Sequence, residues 1–247
     1  HRSMRLISRE IDNVASLQAK LLPDRSPLIP GVHVDSMYKP SGLASGDYYD
    51  YFLTDSGALR VVMADVSGHG ARAAFIMAVV RTLFRVTRQF PSDLASTVRM
   101  VNEELLQTIG KEDDYVTVFA ADIDFSSEKM KYINAGHCPG LLKNGSTTVE
   151  RLSANAPLLG FFKEGFQARE TDFAPNSELF LYTDGFYEWS PKPGDFLDPD
   201  KFLTSAGEIM TRKGCSLEDI MEWLSGLTDG EPEFRDDLTA LWVKTER

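Results

Sequence analysis

Four short apolar runs in this chain each begin or end at an acidic residue that has a glycine or a second aspartate within three positions. They are Ser45-Gly46-Asp47-Tyr48-Tyr49-Asp50, then Val61-Val62-Met63-Ala64-Asp65-Val66-Ser67-Gly68-His69-Gly70, then Leu179-Phe180-Leu181-Tyr182-Thr183-Asp184-Gly185, and last Arg235-Asp236-Asp237-Leu238-Thr239. A strand such as Val61 to Ala64, apolar at successive positions, is buried on both faces. Its terminal carboxylate therefore points into whatever the strand ends share. Several like charges gathered there repel strongly in low dielectric unless a cation neutralises them. All-oxygen ligation selects magnesium or manganese, and two such ions close together can hold a hydroxide and clamp a phosphate. Singly, each acid has a plainer reading: a turn at Asp184-Gly185, a helix cap at Asp65, solvated turns at Asp236-Asp237 and at Asp47 and Asp50. Four recurrences in one chain favour a shared site, and with it a fold that brings strand ends to a common edge.

The texture around these runs narrows the fold further. Val32 to Tyr38, Tyr48 to Leu53, Leu59 to Val66, Tyr115 to Ile123, Met130 to Ala135, Leu179 to Thr183 and Leu238 to Val243 read as strands bounded by Gly, Asp and Ser turns. Ala71 to Phe90 reads as a largely buried helix. Leu94, Val98, Val101, Leu105 and Ile109 recur at helical spacing behind Ser92-Asp93, a plausible N-cap. Pro199 to Arg212 and Ser216 to Leu227 read as two more helices, and residues 190–198 as a loop. Strands come in runs with helices inserted between, not in strict alternation. That pattern predicts an α+β layered sandwich with mainly antiparallel sheets.

A separate unit precedes this domain. Met4, Ile7, Ile11, Val14, Gln18 and Leu21 follow an a/d heptad spacing that Pro23, Pro27 and Pro30 stop. Two readings fit residues 1–22: a linker helix docked on its own domain, or the end of a dimeric coiled coil in which Gln18 fixes register. Residues 23–247 form the catalytic-looking domain. His1-Arg2-Ser3 lacks an initiator Met and reads as a tag remnant, so the chain is expected to be a piece of something longer.

Charge and composition exclude several classes. With 26 basic against 37 acidic residues the net charge is −11, which disfavours nucleic-acid partners. The two cysteines, Cys138 and Cys215, form no CxxC pair and no secretory framework, so a cytoplasmic home is expected. No apolar run reaches the length of a membrane span. A G-x-S-x-G elbow, a GxxxxGK[ST] loop and an H-E-x-x-H helix are all missing. Gly68 and Gly70 permit positive φ or close backbone approach where the strand turns into the helix; in one reading they let the Val66 carbonyl reach a metal, and in another the helix N-terminus is an anion site. His69 is read either as a proton donor to a leaving alkoxide or as a turn-packing residue. His137 sits in a tight turn and reads as structural, and Cys138 as a small buried residue.

The series of motifs resembles one family. The Ser45–Asp50 run, Ala64-Asp65-Val66-Ser67-Gly68-His69-Gly70, Asn134-Ala135-Gly136-His137-Cys138-Pro139, Tyr182-Thr183-Asp184-Gly185-Phe186-Tyr187-Glu188 and Asp236-Asp237-Leu238-Thr239 follow in the order found in the PPM (type 2C-like) metal-dependent serine/threonine protein phosphatases, in their bacterial SpoIIE-like, stress-response branch. The segment Leu17-Gln18-Ala19-Lys20-Leu21-Leu22-Pro23 is also similar to that branch. The resemblance implies an α/β/β/α sandwich with two divalent ions, manganese or magnesium, at one edge of two central sheets. Asp65 would bridge both ions, with the Val66 carbonyl on one, Asp184 and Asp236 on the other, and Asp47 joining directly or through water. Asp50, Asp237, Gly68, Gly70 and Gly185 would stand beside the ligands. A hydroxide between the ions would attack phosphoserine or phosphothreonine in line. The implied substrate is a phosphorylated STAS-domain protein of the anti-anti-sigma type, in a partner-switching circuit; on the coiled-coil reading of residues 1–22 the N-terminal helix would make a homodimer.

Departures are few. Ser45 stands where the family more often has glycine, and Phe161-Phe162 replace an apolar-Pro turn after Leu159-Gly160. A catalytically silent binding module that sequesters the same kind of partner is the rival reading, and a hydrolase of small phosphoesters is another. Loss of a metal aspartate would favour the silent module, and none is lost.

Overall fold

Alternation along one strand sets out the layers. Leu59, Val61 and Met63 pack in one buried cluster, whereas Val62, Ala64 and Val66 pack in another on the opposite face. A strand buried on both faces needs a partner layer on each side. The computed structural model describes residues 16–23, 29–42, 44–90, 92–109, 114–145, 147–191, 196–228 and 234–246.

The strands are β1 (Val32–Lys39), β2 (Tyr48–Leu53), β3 (Leu59–Val66), β4 (Val116–Asp124), β5 (Lys129–Ala135), β6 (Gly140–Lys143), β7 (Val149–Leu152), β8 (Arg169–Asp172), β9 (Glu178–Tyr182) and β10 (Leu238–Thr245). The helices are α1 (Ala71–Thr87), α2 (Leu94–Thr108), α3 (Pro199–Met210) and α4 (Leu217–Ser225). Sheet I has the order β1-β10-β9-β6-β7 and sheet II the order β2-β3-β4-β5-β8. Every pairing between these strands is antiparallel. Val34, Leu179, Leu181, Leu241 and Val243 of sheet I meet Tyr49, Tyr51, Val61, Met63 and Phe119 of sheet II between the sheets. Helices α1 and α2 cover the outer face of sheet II, and α3 and α4 cover that of sheet I around Phe180, Tyr182 and Trp242. The result is the expected α/β/β/α sandwich.

The helix ends follow their sequence signals. Asp93 caps α2 by accepting from the Ser96 N–H at 2.7 Å. Ser216 and Asp219 form a capping box at α4, and Pro199 occupies the first turn of α3 behind Asp198. Helix α1 stops at Thr87, short of the expected Phe90, and hydrogen-bonded turns carry the chain on to Phe90. Strands β6, β7 and β8 have no counterpart in the sequence reading. Each is four residues long, too short for alternation to register.

Residues 16–21 are helical, and the rest of the heptad stretch lies outside the described residues, as do residues 192–195 of the 190–198 loop. Gln18 departs from the coiled-coil reading. It is buried against its own domain, bonded to Ser45, while Leu17 is exposed. No described helix is long and apolar enough to cross a membrane.

Candidate metal centre

Strand ends from both sheets meet at one edge of the sandwich. Sheet II contributes Asp65, next to last in β3, and Asp47, which immediately precedes β2. Sheet I contributes Asp184, in the 3-10 turn after β9, and Asp236 and Asp237, which lead into β10. Two glycines let the chains approach. A Cβ on Gly185 would fall 2.0 Å from the Asp237 carbonyl oxygen, so the Asp184 turn and the Asp236 loop touch backbone to backbone. A Cβ on Gly46 would fall 2.8 Å from the Val66 carbonyl oxygen, so the Asp47 loop lies against the end of β3.

Each acid is held differently. Asp47 is buried, and its Oδ2 accepts from the Thr183 hydroxyl at 2.9 Å and the Thr239 hydroxyl at 2.5 Å. Thr239 lies in β10 and Thr183 directly follows β9, so this carboxylate ties the start of β2 to sheet I across the sandwich. Asp237 is also buried; its Oδ1 accepts from the Ser41 N–H at 2.7 Å and the Ser41 hydroxyl at 3.0 Å, which pins the loop leading to Asp47. Asp236 is exposed, and its Oδ1 accepts from the Asp237 N–H. Carboxylate oxygens of Asp184, Glu188 and Asp236 lie within 4.8 Å of one another.

Glu188 is the acid that the sequence reading did not assign. It follows Asp184 by four residues, in a turn that the Glu188 N–H closes on the Asp184 carbonyl. Its exposure makes it look like an ordinary surface residue. The signal was its place in the Asp184 motif.

Asp50 has another task. It shares a strand face with Tyr48, away from the inter-sheet layer. Arg85 of α1 takes its carboxylate through Nε and Nη2, both at 2.5 Å, and the Tyr48 hydroxyl donates to it at 2.7 Å. Asp50 thus fastens α1 to β2. Gly68 and Gly70 take φ of 85° and 79° between Asp65 and α1, where a side chain would be strained. His69 between them is exposed.

Crowding shifts the acids upward. Burial, then Asp184, Asp236, Asp237 and Glu188, push Asp65 up to about 8. Burial, then Glu188 and Asp236, push Asp184 up to about 6. Asp47 is driven well above the carboxylate range by burial and by Asp65, against the pull of its two threonine hydroxyls. Carboxylates in such a group resist ionising together. A hard divalent cation removes that cost, and the all-oxygen donor set fits magnesium or manganese.

His137 joins the sheets beneath the acids. Its ring contacts the Tyr182 carbonyl through Nε2 at 3.1 Å and the Thr117 hydroxyl through Nδ1 at 2.8 Å. A carbonyl only accepts, so Nε2 carries the proton and Nδ1 accepts from Thr117. Thr117 faces Asp65 across β3 and β4, and Tyr182 is two residues ahead of Asp184. Asn134 holds the turn by accepting from the His137 N–H at 2.8 Å and donating to the Cys138 and Leu152 carbonyls. Cys138 is half-buried rather than fully buried; its Sγ lies 3.2 Å from the Tyr187 hydroxyl, and burial pushes its thiol up, so it stays protonated.

The profile of the family described as Stage II sporulation protein E (SpoIIE) matches residues 55–246. The chain belongs to the SpoIIE family. The SpoIIE match takes in Asp65, Asp184, Glu188 and Asp236, and begins after Asp47. Among curated relatives, the phosphoserine phosphatase RsbP of Bacillus subtilis is 32% identical over 72% of this chain and 45% of its own length. The phosphoserine phosphatase RsbU of the same organism is 24% identical over 96% of this chain and 70% of its own length. The chain thus spans less than half of RsbP. The PP2C domain of SiaA from Pseudomonas aeruginosa superposes with a TM-score of 0.81 at 19% identity, covering 98% of each chain. This SpoIIE-family chain therefore has the PP2C fold.

Proposed function

We propose that the domain is a metal-dependent protein phosphatase that hydrolyses phosphoserine or phosphothreonine on a regulatory protein. The convergence of Asp47, Asp65, Asp184, Glu188 and Asp236 at one sheet edge carries this reading, and the kinship with RsbP and RsbU supports it. Two divalent ions, manganese or magnesium, would when bound neutralise these carboxylates, polarise the phosphoryl group and activate a water.

The chain's own residues do the placing. Asp65, with the Val66 carbonyl beside it, would serve both ions; Asp184 and Asp236 would hold one, joined by Glu188; Asp47, fixed by its two threonines, would complete the other. Asp237 and Gly185 set the Asp236 loop against the Asp184 turn. His69, exposed on the turn after Asp65, is assigned the proton for the leaving alkoxide. The partner is assigned to the STAS-domain class, in the cytoplasm, with dimerisation through residues preceding the domain.

The test is manganese-dependent phosphate release from a phosphoserine protein, beside manganese uptake by calorimetry. Asp65→Asn and Asp184→Asn should abolish both. His69→Gln should keep uptake and lower turnover by roughly 100-fold. A native chain that binds manganese yet releases no phosphate from any phosphoprotein offered would defeat the enzymatic reading and leave a silent binding module.

A further inference from the structure

Gln18 stands apart from its neighbours. Leu17 and Ala19 are exposed, yet Gln18 is 4% exposed. Its Nε2 donates to the Ser45 carbonyl at 2.8 Å, and its Oε1 accepts from the Ser45 N–H at 3.1 Å. One side chain thus takes both backbone groups of one residue. Such a two-point contact fixes the rotation of the peptide as well as its position.

Ser45 passes this constraint to the acidic edge by two routes. Its hydroxyl accepts from the Asp47 N–H at 3.0 Å. Gly46, between Ser45 and Asp47, lies flat on the end of β3, where an added Cβ would meet the Val66 carbonyl at 2.8 Å and the Ala73 Cβ at 3.3 Å. The Asp47 loop is therefore held between Gln18 on one side and Val66 on the other. Three residues beyond Gln18, the Leu21 carbonyl accepts from Arg81 Nε at 2.8 Å. The same short segment is thereby tied to α1, the helix that leaves the Asp65 turn.

We propose that Gln18 is a positioning residue for the metal centre, holding the Ser45 peptide so that Asp47 and the Val66 carbonyl are presented together. This rests on the metal-dependent reading above. It goes further by making one amide the mechanical link between the segment preceding the domain and the ligands. A displacement of that segment reaches Asp47 through Ser45 without any change in the sheets. An apolar residue at position 18 would fill the same space and release the Ser45 backbone.

Gln18→Met in the full chain tests this, with two readouts. Manganese affinity by calorimetry should fall about tenfold, as it does when a partner that orients a ligand is lost. Hydrogen exchange at the Gly46 and Asp47 amides, followed in metal-free protein, should quicken. Leu224→Ala, a cavity variant in the α3–α4 layer, is the control for stability alone; it should melt lower while keeping manganese affinity within about twofold of native, because distant sites act independently. Native affinity together with native exchange at residues 45–47 in Gln18→Met would overturn the proposal and leave the metal centre standing. A native chain that takes up no manganese would instead bring down the metal-centre reading itself. If Gln18→Met does not fold, Gln18→Glu keeps the acceptor for the Ser45 N–H, loses the donor, and supports the same comparison.

Discussion

His137 shows how a residue without a catalytic task can still decide whether a site exists. Its neutral ring has one acceptor and one donor position, and both are used between the sheets. Burial lowers it from 6.5 to about 4. As pH falls from 7 to 5 the unfolded chain takes up this proton and the folded chain does not, so folding loses stability across that window and keeps it above 6.5. Asp65 and Asp184, raised rather than lowered, act in the opposite sense in metal-free protein. The histidine must therefore be isolated by difference. In urea titrations, the margin of native protein over His137→Gln should shrink by about 2 kcal/mol between pH 7 and pH 5. An unchanged margin would place a charged ring in the folded state. At this scale the sequence is legible where an acid ends an apolar run. It is less so at Asp50, where alternation turns the carboxylate toward Arg85, and at Glu188, where only the place four residues after Asp184 separates a ligand from a surface glutamate.

Elements are joined by a buried cation at the far end of sheet II. Arg60 of β3 is fully buried, and its five N–H donors are all engaged. Nε and Nη2 make a bidentate pair with Asp122 of β4 at 2.6 and 2.7 Å. Nη1 donates to the Thr97 and Thr87 hydroxyls, and Nη2 also reaches the Ser92 carbonyl at 3.5 Å. One side chain thus ties two strands to the end of α1 and the start of α2. Arg60→Ala would leave Asp122 without its partner, and a loss of 3–5 kcal/mol is expected at roughly that scale for a broken buried pair. Thermal melting measures it; a loss below 1 kcal/mol would mean that water replaces the guanidinium. The sequence reading recovers most long elements because their apolar periods are unbroken. It misses the four-residue strands, which borrow their order from neighbours: β6 sits between β9 and β7, and β8 rides on the edge of β5. The heptad spacing around Gln18 states that one face is apolar. It does not state which surface that face meets.

At the scale of the whole molecule, the acidic edge is a folded-state liability until a cation arrives. Manganese that binds only the folded chain should raise stability by about 2.7 kcal/mol at a free concentration one hundred times Kd, and a chelator should reverse it. Melting curves at constant ionic strength would show this, and Asp65→Asn should remove most of the gain. An equal gain in native and variant would assign the effect to surface charge instead. The carboxylate of Asp47 is bonded to Thr239, 192 positions away in the chain, and to Thr183, 136 positions away. Bonds between partners this remote carry a large loop-closure cost and hold only where the two sheets are closed on each other. A nascent or half-unfolded copy therefore holds separated carboxylates and no assembled centre. The chemistry proposed for this edge is therefore available only to the closed sandwich, because no single sheet carries Asp47, its two threonine partners and the Asp184–Asp236 pair together.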